Sequence, residues 1–234
     1  MALTVAHLYD PIYRARGKDY DRESRTLVDL IGQRCPGAAA LLDVGCGTGQ
    51  HLARLRARFR VEGLDLDAGM LAHARARLGP DVPLHRADMA VFELGRRFDV
   101  VTCLFSALGY VRTVRRLRSA VAAMAAHLNP GGLLVVEPWI HPEDWQAGTL
   151  HAVFVDEPGL KAARIGVSAQ RGRLSISDLH FLVATPEGVQ RLREKLILGL
   201  FTDREYRAAF AAAGLRLEHD PVGLEGRGLY LGLA

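Results

Sequence analysis

Leu41-Leu42-Asp43-Val44-Gly45-Cys46-Gly47-Thr48-Gly49 is the stretch on which the reading of this chain turns. An apolar run ending in an acid meets a loop with glycine at three alternate positions. The residues that follow carry Leu52, Leu55 and Phe59 at helical spacing. Strand, glycine loop and helix open a βαβ unit whose backbone turns sharply and comes close to a ligand. Loops that seat a pyrophosphate use the spacing G-x-G-x-x-G and a helix N-terminus. This loop is G-x-G-x-G with Asp43 before it, an arrangement suited to a ligand that carries positive charge. Asp43 is expected to orient the loop, or to reach a ligand amino group through water.

Outward from the loop the alternation repeats. Strands are expected at residues 61–66, 83–86, 98–105 and 133–137, with helices at 50–59, 70–78 and 114–128 between them. Asn129-Pro130-Gly131-Gly132 reads as the stop of the last helix. Such alternation predicts a parallel sheet with helices on both faces. Residues 151–155, 161–168, 174–184 and 191–200 read instead as strands joined by polar or glycine turns, an antiparallel layer. A helix at 202–213 follows, with Thr202 as N-cap and Glu205 completing a capping box. Strands at 215–218 and 229–233 return to the main sheet. Residues 9–30 read as helical, broken at Pro11 and Gly17, and precede the first strand as a cover. The predicted fold is α/β, a Rossmann-like, doubly wound, mostly parallel sheet with an inserted antiparallel β layer. It forms a single domain: lid 1–36, cofactor core 37–140, β insertion 141–200, and terminal helix and strands 201–234.

Composition limits the classes. In 234 residues no apolar run approaches the ~20 of a membrane helix, and residues 1–10 lack a secretory pattern. Cys35, Cys46 and Cys103 make no C-x-x-C pair, so neither a zinc site nor a disulfide framework is expected, and a reducing cytoplasm fits. Net charge is +4, and Arg112, Arg115, Arg116 and Arg118 read as a solvated helix face rather than a nucleic-acid footprint.

Three further markers stand at strand ends. Gly63-Leu64-Asp65-Leu66-Asp67 lies about 20 residues beyond the glycine loop, where Asp65 can accept from both ribose hydroxyls and Asp67 can cap a helix. In Ala87-Asp88-Met89, Asp88 can accept from an adenine amino group while the Met89 backbone donates to the ring. The segment from Leu104 and Phe105 to Tyr110 follows the fourth strand and would pass a sulfonium and its methyl. Together they point to S-adenosylmethionine, with Gly45, Cys46, Gly47, Leu66 and Met70 completing the cradle. Tyr9, Tyr13 and Arg16 lie on the cover, where Arg16 can pair bidentately with the cofactor carboxylate.

These markers resemble the class I methyltransferase pattern. More of the chain is similar to the sugar N-methyltransferases of macrolide pathways, which dimethylate dTDP-linked amino sugars on the way to desosamine or mycaminose. The similarity rests on Tyr9-Asp10, Gly17-Lys18-Asp19-Tyr20, Gly69-Met70-Leu71 and Leu94-Gly95-Arg96-Arg97-Phe98. It continues through Thr102-Cys103, Phe105-Ser106 and Val135-Val136-Glu137-Pro138-Trp139. Leu200-Phe201-Thr202, Ala211-Ala212-Ala213-Gly214-Leu215 and Gly226-Arg227-Gly228-Leu229 complete it. There are departures. The family usually has Glu at Asp65 and a second Trp after Trp139, where Ile140 stands here, and residues 151–172 match poorly.

The resemblance implies an N-methyltransferase, adding two methyls to the amine of a dTDP-linked amino deoxysugar, in a cytoplasmic antibiotic-biosynthesis setting. It implies Tyr110 as the residue positioning the amine and Arg227 as a pyrophosphate ligand. Glu137 reads either as a partner of a sugar hydroxyl or the amine, or as a structural carboxylate. Trp139 and His180 are further substrate candidates. A neutral amine needs alignment more than a base, so no essential base and no metal are expected. The rival readings are an N- or O-methyltransferase of another small molecule and a cofactor-binding regulatory subunit. The partners expected are a small molecule and a second copy of the chain, with neither nucleic acid nor membrane.

Overall fold

The computed structural model describes residues 4–234. Helices α1 (Val5–Ala15) and α2 (Tyr20–Arg34) precede β1 (Ala40–Val44), α3 (Gln50–Leu55), β2 (Arg60–Asp65), α4 (Ala68–Leu78) and β3 (Leu84–Arg86). Then come β4 (Phe98–Cys103), a 3-10 turn (Ala107–Val111), α5 (Val114–Ala126) and β5 (Leu128–Val136). Four strands, β6 (Leu150–Glu157), β7 (Leu160–Arg171), β8 (Leu174–Thr185) and β9 (Gly188–Gly199), lead to α6 (Asp203–Ala212), β10 (Arg216–Asp220) and β11 (Leu229–Leu233).

Seven strands form one sheet in the order β10-β11-β5-β4-β1-β2-β3, parallel except that β11 runs against both neighbours. The chain winds outward from β1 to β3, then returns to the other side of β1 as β4. Ligands of such sheets bind in the crevice this reversal opens at the strands' carboxyl ends. The central strands are apolar on both faces because both are covered. Leu41, Val100 and Leu133 pack with Leu27, Ile31, Leu52 and Leu78 on one side. Their chain neighbours Leu42, Val101 and Leu134 pack with Leu117, Val121, Met124 and Phe210 on the other. Each such side chain contributes about 1.5–3 kcal/mol relative to exposure.

The doubly wound sheet and inserted antiparallel layer match the expected class. Thr202 and Glu205 form the capping box, Thr202 Oγ1 accepting from Glu205 N at 3.2 Å and Glu205 Oε2 from Thr202 N at 3.0 Å. Three details differ. Pro11 does not break α1, which runs through it to Ala15. Leu8 and Ile12, on either side of the proline, are buried against Val155, Ala162, Phe181 and Val183, and this packing offsets the hydrogen bond that proline removes. α5 ends at Ala126 because His127 closes it: one ring nitrogen lies 2.7 Å from the Ala123 carbonyl and the other accepts from Leu94 N. β5 therefore starts at Leu128 and passes through the Asn-Pro-Gly-Gly segment, with a register irregularity opposite β4.

β6 to β9 form an antiparallel meander. Its three hairpins close over two residues each, Pro158-Gly159, Gly172-Arg173 and Pro186-Glu187. Short loops fix the register, and so decide which side chains face the main sheet. Among the described residues, no helix is long and apolar enough to cross a membrane.

Gly63 of β2 shows how tightly the floor of the crevice is packed. A Cβ there would lie 2.7 Å from Leu52 Cδ1 and 2.8 Å from both Cys46 Sγ and Leu84 Cδ2. Gly63→Ala is expected to destabilise the fold by about 1–3 kcal/mol in urea unfolding. An unchanged midpoint would show that the floor yields freely.

Candidate active site

A cleft of about 720 Å³ opens at the carboxyl ends of β1 to β4, with α1 along one side and the inner face of β7 to β9 along another. Its base is the glycine loop. Gly45 has φ +76°, and a Cβ on it would come within 2.6 Å of Ala107 Cβ. Gly47, at φ +54°, has nothing within 4 Å of such a Cβ, so its backbone faces open space. The Gly47 amide donates to Asp65 Oδ2 at 2.8 Å, and the Asp67 amide to Oδ1 at 2.9 Å. One carboxylate thus ties the loop to the end of β2. Burial pushes the Asp65 carboxyl up while these backbone donors hold it down, and the net shift is upward. Asp67 caps α4 through Met70 N at 2.9 Å.

Behind the loop, a small recess is lined by Tyr9, Tyr20, Asp43, Thr48, His51 and Phe105 among others. Asp43 is buried there and accepts from Thr102 Oγ1 at 2.8 Å. Burial raises its carboxyl to about 6, against the opposing pull of His51 and Thr102. The cover is latched here too: Asp10 accepts from Thr48 Oγ1 at 2.7 Å and from Arg77 at 2.5 Å.

The loop after β4 is held in a costly conformation. Phe105 and Ser106 have φ of +49° and +66°, positions that side chains disfavour by roughly 1–3 kcal/mol each. Glu137, fully buried at the end of β5, fixes them: its Oε2 accepts from the Phe105 amide at 2.7 Å. Its Oε1 accepts from Arg227 at 3.1 Å, and Arg227 also pairs with Glu225 at 2.7 Å. Glu225 meets the buried Lys18 at 3.1 Å, Lys18 meets Glu23 at 2.9 Å, and Glu23 meets His51 at 2.9 Å. Burial would raise the Glu23 carboxyl, but His51 and Lys18 bring it below its ordinary value. Lys18 Nζ lies 3.7 Å, and the Arg227 guanidinium 5.1 Å, from the centre of the Phe105 ring. A chain of hydrogen bonds and ion pairs therefore runs from His51 on α3 through α2 and the C-terminal loop to the β4 loop.

The cleft gathers most of the residues singled out in the sequence. Tyr9, Tyr13, Arg16, Gly45, Gly47, Asp65, Leu66, Met70, Asp88, Met89, Leu104 and Phe105 line it, as do Tyr110, Trp139 and Arg227. Tyr13 packs edge-on against Phe105 at 4.8 Å, and Tyr110 stands half-exposed on the turn after β4. Glu137 is fully buried and does not line the cleft, so it faces the Phe105 amide and Arg227 rather than a ligand. Arg227 is likewise committed to two carboxylates. His180 is a correction: it lies on the outer face of the layer with an exposed side chain, because it follows inward-facing Leu179 by one residue. Arg116 is another. Expected on a solvated face, it lines the cleft and grips both oxygens of Asp88 at 2.8 and 2.6 Å, holding that carboxyl below its usual range. The roles of Lys18, Glu23 and His51 were not among the expectations from sequence. Lys18 stood in a recognisable segment, but nothing in its neighbours announced a buried ammonium.

The donor set fits S-adenosylmethionine. Asp43 precedes the glycine loop and Asp65 holds it from the end of β2, an open backbone lies at Gly47, and among the described residues no arginine or lysine lines the recess behind the loop. A phosphate there would need basic partners, whereas an ammonium and ribose hydroxyls need acceptors.

Fold and site define a class I, S-adenosylmethionine-dependent methyltransferase, and comparison with known proteins agrees. Residues 41–132 match the methyltransferase domain family. A dTDP-3-amino-3,4,6-trideoxy-α-D-glucopyranose N,N-dimethyltransferase of Streptomyces venezuelae is 45% identical over 97% of both chains. A dTDP-3-amino-3,6-dideoxy-α-D-glucopyranose N,N-dimethyltransferase of Streptomyces fradiae is 45% identical over 98% of this chain and 90% of its own. The crystal structure of Streptomyces venezuelae DesVI superposes with a TM-score of 0.94 at 44% identity, covering 99% of both chains. The chain belongs to the methyltransferase family that these sugar-modifying enzymes form.

Asp43 gives the site a pH signature. Its folded pKa of about 6 exceeds the unfolded value of 3.8, so the native state holds the proton more tightly between those values. This group's contribution to stability is present below the lower value and is lost as pH rises through the upper one, by up to about 3 kcal/mol. Asp43→Asn removes the titration. Between pH 4 and pH 7 the wild type is expected to lose stability relative to the variant in urea unfolding; parallel pH profiles would refute the assignment.

Proposed function

We propose that this enzyme transfers methyl groups from S-adenosylmethionine to the amine of a dTDP-linked amino deoxysugar, twice on the same nitrogen. Kinship over the whole chain, antiparallel layer included, carries this reading. The bound cofactor supplies an electrophilic methyl on a sulfonium. The remaining work is alignment, which is worth several kcal/mol of barrier. Asp65 holds the ribose, Asp88 and the Met89 backbone read the adenine, and Leu66 and Met70 flank the adenosine. Gly45, Cys46 and Gly47 admit the methionine end, with Asp43, Tyr9 and Tyr13 around it. Leu104 and Phe105 pass the reacting centre. Tyr110, at the mouth of the cleft, orients the amine, and Trp139 forms a wall for the sugar. Glu137 and Arg227 act by fixing the Phe105 loop. The division of labour follows the chain: residues 37–140 serve the cofactor, 141–200 the acceptor, and 1–36 cover both.

Mass spectrometry of a reaction containing S-adenosylmethionine and dTDP-3-amino-3,6-dideoxyglucose tests the reading. A gain of two methyl masses on the sugar nucleotide is expected. One methyl would limit the enzyme to monomethylation, and no gain would reject this acceptor.

The active form is a homodimer joined through the outer face of the antiparallel layer. Leu150, Phe154, Ile165, Val167 and Leu182 are exposed on the strands of that layer, and the register sets Phe154 beside Ala163 and Leu182 on one face. A contiguous apolar face of this kind suits a two-fold interface. Light scattering is expected to give a dimer, and Phe154→Asp a monomer; a monomeric wild type would reject the interface. A reducing, cytoplasmic setting accords with three unpaired cysteines.

A further inference from the structure

The chain has two tryptophans, and both line the cleft. Trp139 follows β5, and Trp145 lies in the link to β6. Their ring centres are 5.8 Å apart, yet their indole N–H groups meet different fates. Trp139 Nε1 donates to Ser175 Oγ at 2.9 Å, and the Ser175 hydroxyl donates in turn to the Leu198 carbonyl at 3.2 Å. Trp145 Nε1 is buried and finds no acceptor among the described residues.

An indole nitrogen can donate but not accept, and a buried donor without an acceptor is costly. The cleft beside Trp145 is where an acceptor oxygen can enter. The position of the donor says which oxygen. Neither tryptophan lines the recess behind the glycine loop, where the methionine end of the cofactor belongs. A Cβ on Gly109, in the 3-10 turn that carries Tyr110, would lie 3.4 Å from Trp139 Cβ and 3.2 Å from Leu198 Cβ. The tryptophan pair thus stands against the turn from which Tyr110 orients the amine, so the oxygen belongs close to the amine-bearing carbon. The two ring carbons flanking that carbon are unlike. In a 3-amino sugar, C2 adjoins the anomeric carbon and the nucleotide that hangs from it. C4 is remote from the nucleotide and can enter a corner closed to solvent.

We propose that Trp145 is a specificity-determining residue whose indole N–H donates to the C4 hydroxyl of the acceptor sugar. The proposal rests on the amino-sugar reading above and narrows it, to a 3-amino sugar that keeps the hydroxyl beside its amine. The two relatives named above act on acceptors that differ by that group. The Streptomyces fradiae enzyme takes a 3,6-dideoxy sugar and the Streptomyces venezuelae enzyme a 3,4,6-trideoxy sugar. A site that offers a buried donor rejects the analogue lacking the oxygen, because the donor is then left unpaired. Trp139, its own donor already satisfied, contributes an apolar face.

Steady-state methylation by the full chain tests the assignment, with S-adenosylmethionine and either dTDP-3-amino-3,6-dideoxyglucose or dTDP-3-amino-3,4,6-trideoxyglucose. Wild-type kcat/KM is expected to favour the hydroxylated sugar by about tenfold to a hundredfold. In Trp145→Phe, which keeps an aromatic ring and removes the donor, that ratio should fall toward unity. The two indoles give a second readout, which remains informative if Trp145→Phe fails to fold. In a nitrogen-15 spectrum of the wild type saturated with S-adenosylhomocysteine, the hydroxylated sugar should shift one of the two indole N–H resonances, and the trideoxy sugar should leave it in place. No preference in the wild type, or a preference that survives in Trp145→Phe, overturns the assignment while the amino-sugar reading stands. Equal losses on both sugars in the variant also overturn it, giving the donor to a part of the acceptor common to both. Indole resonances unmoved by the hydroxylated sugar overturn it as well. A wild type that methylates neither sugar overturns the amino-sugar reading tested above, and the assignment with it.

Discussion

A buried carboxylate cannot be left without partners, and the site is organised around that constraint at Glu137. Its two oxygens are taken by the Phe105 amide and by Arg227. Removing one partner of such a buried pair typically costs 3–5 kcal/mol, enough to hold Phe105 and Ser106 in their left-handed conformations. Those two residues line the cleft just beyond β4. Glu137 thus works through the conformation it enforces on its neighbour.

The same requirement propagates. Arg227 needs Glu225, Glu225 needs Lys18, and Lys18 needs Glu23, so segments distant in sequence are joined by ion pairs with little exposure to solvent. Lys18 and Arg227 both lie over the Phe105 ring, adding cation–π attraction to the chain of charge. Electrostatics also divides the cleft. Acids stand at the glycine loop and near the ends of β1, β2 and β3, and Arg164, without a salt-bridge partner among the described residues, stands on the antiparallel layer.

Much of this was legible in the sequence, for reasons that can be named. The strand–loop–helix opening and the acids at Asp65 and Asp88 are local signals, set within a few residues, and they led to the sheet, the cofactor cradle and the crevice. The capping box at Thr202 was equally local. What escaped was non-local. Nothing beside Pro11 says that Leu8 and Ile12 will be buried on another layer. Nothing beside His127 says that its ring will close α5. His180 was misplaced because alternation in a strand separates two faces without saying which is inner; that depends on the whole meander. Arg116 read as one of a solvated row of arginines, and only the fold brings it to Asp88.

The two-residue hairpins of the meander carry a consequence for how such an enzyme diverges. Because the short hairpins set the register of β6 to β9, every second residue faces the cleft and its neighbours face away. This wall of the cleft can therefore be recast by exchanging alternate positions, with the backbone ladder and the outer face left as they are. An insertion of one residue within a strand would exchange the two faces beyond it and spoil both together. Relatives with different acceptors should then share strand lengths and vary in a two-residue rhythm, while the glycine loop, serving the same donor in all of them, keeps its spacing.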